Sequence, residues 1–165
     1  MWPNTPAYVL GRHLDVLAAN ALAMAISPIF SPGVNVVRAA FLDPELRESV
    51  PDWEILAQVA AGRLRALAGP HVDDPDLVEL VADLSARSDR FRRLWTRHDV
   101  EVAAPQVFSF DHPLVGPLRL NVDRFPITGT DAQVLVVLHA EPDSPTECAL
   151  TRLARLVAAN KPLIQ

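Results

Sequence analysis

The sequence predicts an α+β fold: an antiparallel sheet with helices packed on one face and a helical insert between its strands. Three observations carry this. Apolar residues alternate with period two near the start and again after residue 100, while the middle of the chain repeats with helical period. The 15 prolines, several of them preceded by Asp or Ser, punctuate the chain and mark where elements begin and end. Half of the 165 residues are hydrophobic, enough for one core, and only 6% are aromatic, so that core rests on Leu, Val and Ala.

Residues 7–20 read as two short strands that turn near Gly11 to His13. Asn20 then caps a helix over 21–26, and Ser27-Pro28 and Ser31-Pro32-Gly33 end it. A short helix follows around 35–41. Asp43-Pro44 and Asp74-Pro75 each start another, with Asp as cap and Pro at the first helical position. Asp52 caps a longer helix over 53–67, on which Leu56, Val59, Ala60, Arg63 and Leu67 fall near one face before Gly69-Pro70 stops it. From 76 to about 98, Leu77, Val81, Leu84, Ser88, Phe91, Trp95 and His98 form one helical stripe, as one helix or as two joined near Ser88-Asp89. Beyond Val100 three strands follow. Residues 106–111 place Phe108 and Phe110 on one side; Leu118, Leu120 and Val122 alternate with Arg119, Asn121 and Asp123; and 132–140 is a nearly continuous apolar run that reads as a central strand. Ser144-Pro145-Thr146-Glu147 is a capping box for a last helix to about 159, with Leu150, Leu153, Leu156 and Val157 inward.

The charge balance narrows the function. A formal net charge of −5 and a pI near 5.4 argue against direct contact with nucleic acid. The basic residues Arg87, Arg90, Arg93 and Arg97 lie off the apolar stripe and read as a solvated helix face. Cys148 is the single cysteine, so no disulfide forms within the chain and a reducing cytoplasm fits. No apolar run reaches the roughly 18 residues of a membrane span, and the first residues lack the charged and apolar regions of a signal peptide; they look like the end of a linker.

Catalytic and metal chemistry find little support. There is no HExxH, GxSxG, P-loop or GxGxxG pattern. Ser88, His98 and Asp99 are the residue types of a nucleophilic triad, but on one continuous helix Ser88 and His98 would stand about 15 Å apart. Ser88 then reads as a small polar residue tolerated on a helical face. The five histidines do not pair at ligand spacing; His112 before Pro113 organises a turn, and Asp74 is a helix cap rather than a ligand. No cofactor is expected. The aromatics carry two readings: Phe91 and Trp95 one helical turn apart, Phe108 and Phe110 on a strand face, and Trp53 and Phe41 on other helices are either a domain core or the walls of a pocket between helices and sheet.

Several segments resemble a known family. The run Leu14 to Ala23 looks like the opening of a PAS-type domain, a hairpin leading into an Asn-capped helix. Pro6-Ala7-Tyr8-Val9-Leu10-Gly11-Arg12, the Asn35/Arg38/Phe41 spacing, Asp52-Trp53-Glu54 and Ser88-x-x-Phe91-Arg92-x-Leu94-Trp95 resemble the MmyB-like ligand-binding domain of actinobacterial XRE-type regulators. His98-Asp99-Val100, His112-Pro113-x-Val115-Gly116 and Ala140-Glu141-Pro142-x-Ser144 fit it as well, in order and over nearly the whole chain. Ala19 departs from the pattern, standing where the family often has Trp before the Asn.

The resemblance implies a single PAS-like domain over 1–165, not an enzyme, that senses a small apolar, fatty-acid-like molecule in the cytoplasm. It further implies that DNA is bound by a helix-turn-helix domain outside this chain, which is then a segment of a longer regulator or a stand-alone sensor. No membrane partner is expected, and a homodimer is admitted. Trp53, Phe91, Trp95, Phe108 and Leu120, with Phe41, are the expected pocket walls, and Asn20, Arg38 and His98 the polar candidates, Arg being the natural partner of a carboxylate. The alternative is a dimerisation or partner-docking module with a filled core and no ligand.

Overall fold

A computed structural model describes residues 4–69, 73–97 and 107–160. Among these, five strands form one sheet in the order β2-β1-β5-β4-β3, every neighbouring pair antiparallel. The strands are β1 (Ala7–Leu10), β2 (Val16–Ala19), β3 (Val107–His112), β4 (Gly116–Pro126) and β5 (Val134–His139). The apolar run before residue 140 is the central strand, and the last three strands form the expected meander.

Register explains why one face is covered. Tyr8 pairs with Val136, which pairs with Arg124; Phe108 pairs with Leu120 and Phe110 with Leu118. Directly opposed residues in an antiparallel pair point to the same side. Tyr8, Phe110, Leu118, Leu120, Val122, Val136 and Leu138 are accordingly buried, while Arg119, Asp123 and Phe125 on the other face are exposed.

The helices between β2 and β3 start where their caps predict. They are α1 (Ala21–Ile26), α2 (Val36–Leu42), α3 (Pro44–Ser49), α4 (Trp53–Ala68), α5 (Pro75–Arg87) and α6 (Asp89–Thr96), with a 3₁₀ turn over Pro28–Phe30. The Asn20, Asn35, Asp43 and Asp74 side chains each accept a backbone N–H of the helix they begin. Asp52 stands at the cap position of α4, but its side chain makes no cap hydrogen bond. Pro70 and the Leu67 side chain lie outside the described part.

The long stripe is two helices rather than one. Ser88 takes an extended backbone, donates its N–H to the Leu84 carbonyl at 2.9 Å and accepts the Phe91 N–H on its hydroxyl at 3.1 Å. It therefore ends α5 and caps α6, which replaces the reading of a residue tolerated within one helix. The basic residues near it are partly paired: Arg87 with Asp83, Arg90 with Glu54 and Arg92 with Asp89.

The last helix, α7 (Pro145–Ala159), opens as a capping box, the Ser144 hydroxyl accepting the Glu147 N–H at 3.2 Å. Glu147 reaches back one residue further than expected, to the Asp143 N–H at 2.8 Å. Leu150 and Leu153 are buried, but Leu156 is exposed, because α7 docks by its first three turns against α1 and the start of β4. His112 organises its turn as anticipated: Nδ1 accepts the Leu114 N–H at 3.1 Å while Nε2 meets the Ala25 carbonyl at 2.8 Å. No helix of the described residues is long and apolar enough to cross a membrane.

A candidate ligand cavity between helix α4 and the sheet

A cavity of about 50 Å³ lies between α4 and the inner face of the sheet. Its apolar wall is built from Leu10 and Val136 of the sheet, Ile29 and Phe30 of the 3₁₀ turn, and Leu56 and Val59 of α4. Tyr8 stacks on Phe30 at 4.5 Å, and Phe30 meets Phe110 edge-on at 5.9 Å, so rings form part of the wall. Leu14 closes part of the rim from the β1–β2 hairpin with φ of +66°, a left-handed backbone that disfavours a residue with a side chain. The hairpin is tethered: Arg12 pairs with Asp131 and, at 3.2 Å, with Asp74, and His13 approaches Asp74 at 3.1 Å.

Part of the lining is charged. Arg63 follows Val59 and Ala60 by one turn of α4 and so points at the sheet; Arg124 continues the inward alternation of Leu118, Leu120 and Val122. Both guanidiniums and the Tyr8 side chain line the same space. Burial is the main force lowering the pKa of Arg63, with the Arg124 charge acting in the same direction. Burial likewise lowers Arg124, opposed by Tyr8 and Asp123. The Tyr8 phenol is pushed up to about 12 by burial, with the two arginines pulling the other way. Arg124 stands over the Phe108 ring, at 5.9 Å.

Among the described residues no Ser, Cys, His, Asp or Glu lines this cavity, so they offer it neither a nucleophile with a base nor carboxylate ligands. Among the described residues no cluster of His, Cys, Asp and Glu could hold a metal. What the lining can do is enclose apolar surface and meet a negative group.

The residues expected from the sequence separate into different places. Phe108 lines the cavity, and Leu120, fully buried, lies beside it across the β3–β4 pair. Phe91 packs edge-on to Phe41 at 5.1 Å and stacks on Trp95 at 5.4 Å, a separate cluster between α2 and α6. Trp53 donates its indole N–H to the Ala40 carbonyl at 2.6 Å, with Arg47 over its ring. Arg38 is paired with Asp83 of α5. Asn20 is consumed by structure: it accepts the Ala23 and Ala7 N–H groups and donates to the Thr5 carbonyl. His98 lies outside the described residues. Ala19 pairs with Tyr8 and packs on the core without lining the cavity.

Arg63, Arg124 and Tyr8 were not among the expected site residues. The signal was present for both arginines: each is a charge on an otherwise apolar stripe, one at helical spacing and one at strand spacing.

A second recess, about 970 Å³, opens along β3, β4 and the start of α7. It runs from Val107 and Pro117 to Glu141, Arg119 and Arg152, and is a surface groove rather than an enclosure.

Among curated proteins none matches the chain. The family described as the MmyB-like transcription regulator ligand binding domain matches residues 1–154. With nearly the whole chain covered, and with a cavity enclosed by the sheet and its helices, the chain belongs to the MmyB-like transcription regulator ligand binding domain family.

Proposed function

We propose that this regulatory ligand-binding domain senses an apolar, fatty-acid-like molecule in the cavity between α4 and the sheet, and performs no chemistry. The observation that carries the reading is the cavity itself: an apolar chamber with few polar groups, none of them nucleophilic or metal-ligating, in a family of ligand-binding domains. The strand order, with the helices placed between β2 and β3, supports the PAS-like reading.

Size supplies the coupling. Ligand sites for drug-sized molecules occupy roughly 300–1,000 Å³, and the cavity offers about 50 Å³. A long-chain acid enters only if α4 and the sheet move apart. The ligand thus binds an expanded conformation better than the one described, and that difference in affinity is what allows it to bias a two-state domain. In a cytoplasmic XRE-type regulator the bias would pass to dimer geometry and to the DNA affinity of an attached helix-turn-helix domain.

The test is native mass spectrometry of the purified chain against its denatured mass, with thermal unfolding in the presence of long-chain acids. A co-purified adduct or a rise in melting temperature is expected. If neither appears, the sensing reading fails and a docking module with a filled core takes its place.

A further inference from the structure

Two groups of arginines contrast among the described residues. Arg12, Arg38, Arg87, Arg90 and Arg92 each stand against a carboxylate. Among the described residues Arg63 and Arg124 have no such ion pair, although both are half-buried and line one cavity in whose wall none of those residues is acidic. A guanidinium keeps its proton in a protein, so the two charges cannot be relieved by titration. The Tyr8 hydroxyl adds a third donor: it makes no hydrogen bond among the described residues, and it lines the same cavity. Three donors on three elements, α4, β4 and β1, therefore line one space to which no carboxylate of the described residues contributes. The rest of the described lining is apolar, with Leu10, Ile29 and Leu56 among it.

We propose that Arg63, Arg124 and the Tyr8 hydroxyl form a head-group site for an anionic amphiphile, a molecule with one carboxylate or phosphate monoester on a single apolar chain. This rests on the sensing reading above and adds the charge requirement and the residues that impose it. An anion between the two guanidiniums gains charge-assisted hydrogen bonds from both and ends their exposure to each other's charge. The chain then runs along the apolar lining, Ile29 and Leu56 among it. A neutral molecule of the same length fills the apolar part but leaves the two arginines as they are. The negative charge thus sets selectivity and the chain supplies burial.

The test uses the full chain and three probes of equal chain length, decanoate, decyl phosphate and decanol, with affinities from calorimetry. Decanoate or decyl phosphate, or both, should bind at least about tenfold tighter than decanol, the advantage expected of charge-assisted over neutral hydrogen bonds. The ranking of the two anions identifies the head group. Arg63→Met and Arg124→Met should each shrink the ratio of anion affinity to decanol affinity toward one, and Arg124→Lys should keep part of the advantage. If the anions and decanol bind equally to the unaltered protein, the head-group site is overturned and apolar sensing stands. If none of the three binds, both fall. Should a variant fail to fold, the comparison of probes on the unaltered protein decides alone.

Discussion

Around Phe91 the rings fill the space between α2, α4 and α6; around Phe108 they stop short of filling it. In the first region Phe91 is fully buried and touches Phe41 and Trp95, while the nearby guanidiniums of Arg38 and Arg90 meet the carboxylates of Asp83 and Glu54. In the second, Phe108 is half-buried, Arg124 hangs over its ring, and about 50 Å³ is left beside it. The two regions use the same residue types. They differ in whether each ring has a neighbour and each charge a partner. Packing that satisfies every group specifies a shape, whereas packing that leaves donors facing a chamber specifies something to be bound.

Truncating a ring should separate the regions most strongly. Phe91→Ala removes a side chain with contacts on all sides and should cost about 3–5 kcal/mol. Phe108→Ala removes a half-exposed ring next to existing space and should cost less than half as much, with the larger loss in ligand affinity. Chemical denaturation of both variants checks this. Equal costs would mean that the Phe108 region is core like the other.

The sequence made most of this framework legible because capping and alternation are local. Asn20, Asn35, Asp43, Asp74 and Ser144 sit where their helices start, and Leu118, Leu120 and Val122 face inward as their spacing requires. The candidate site was legible only in part. Aromatic residues announce burial, but whether burial is core or cavity depends on which elements meet, and that is a long-range property. Phe91 and Trp95 find Phe41 on α2, so they close on themselves; Phe108 has the guanidinium of Arg124 from β4 over its ring. Arg38 drew attention by its motif spacing, yet Asp83, 45 residues away, takes its charge. Arg63 stood on an apolar helical stripe, and what marks it is that it lines a cavity with no Asp83 of its own among the described residues.

One substitution should therefore act with opposite sign at the two arginines. Arg38→Met breaks an ion pair that is partly solvent-exposed and should lose about 0.5–1 kcal/mol. Arg63→Met keeps the length and apolar stem of the side chain and takes away a half-buried charge that has no counter-charge among the described residues. It should gain about 1 kcal/mol in the absence of ligand. The pair of melting temperatures is the measurement. A loss at both positions would show that Arg63 is stabilised by something other than a ligand.

The smallest effect is invisible at neutral pH and belongs to the cavity alone. Tyr8 is the single tyrosine of the chain, so phenolate absorbance reports on it without assignment. Its pKa is pushed up to about 12, chiefly by burial. In the unfolded chain a tyrosine ionises near 10. The folded protein therefore holds the proton longer than the unfolded one. The stability this represents is fully present below pH 10 and drains away as pH rises from 10 toward 12, because the unfolded state ionises first. Below pH 10 the titration should be flat, with phenolate appearing late and together with unfolding. An anion seated between Arg63 and Arg124 removes the two positive charges that now favour phenolate, so it should delay the transition further, whereas decanol should not. A midpoint near 10 in the folded protein would place the Tyr8 hydroxyl in water and open the cavity to solvent.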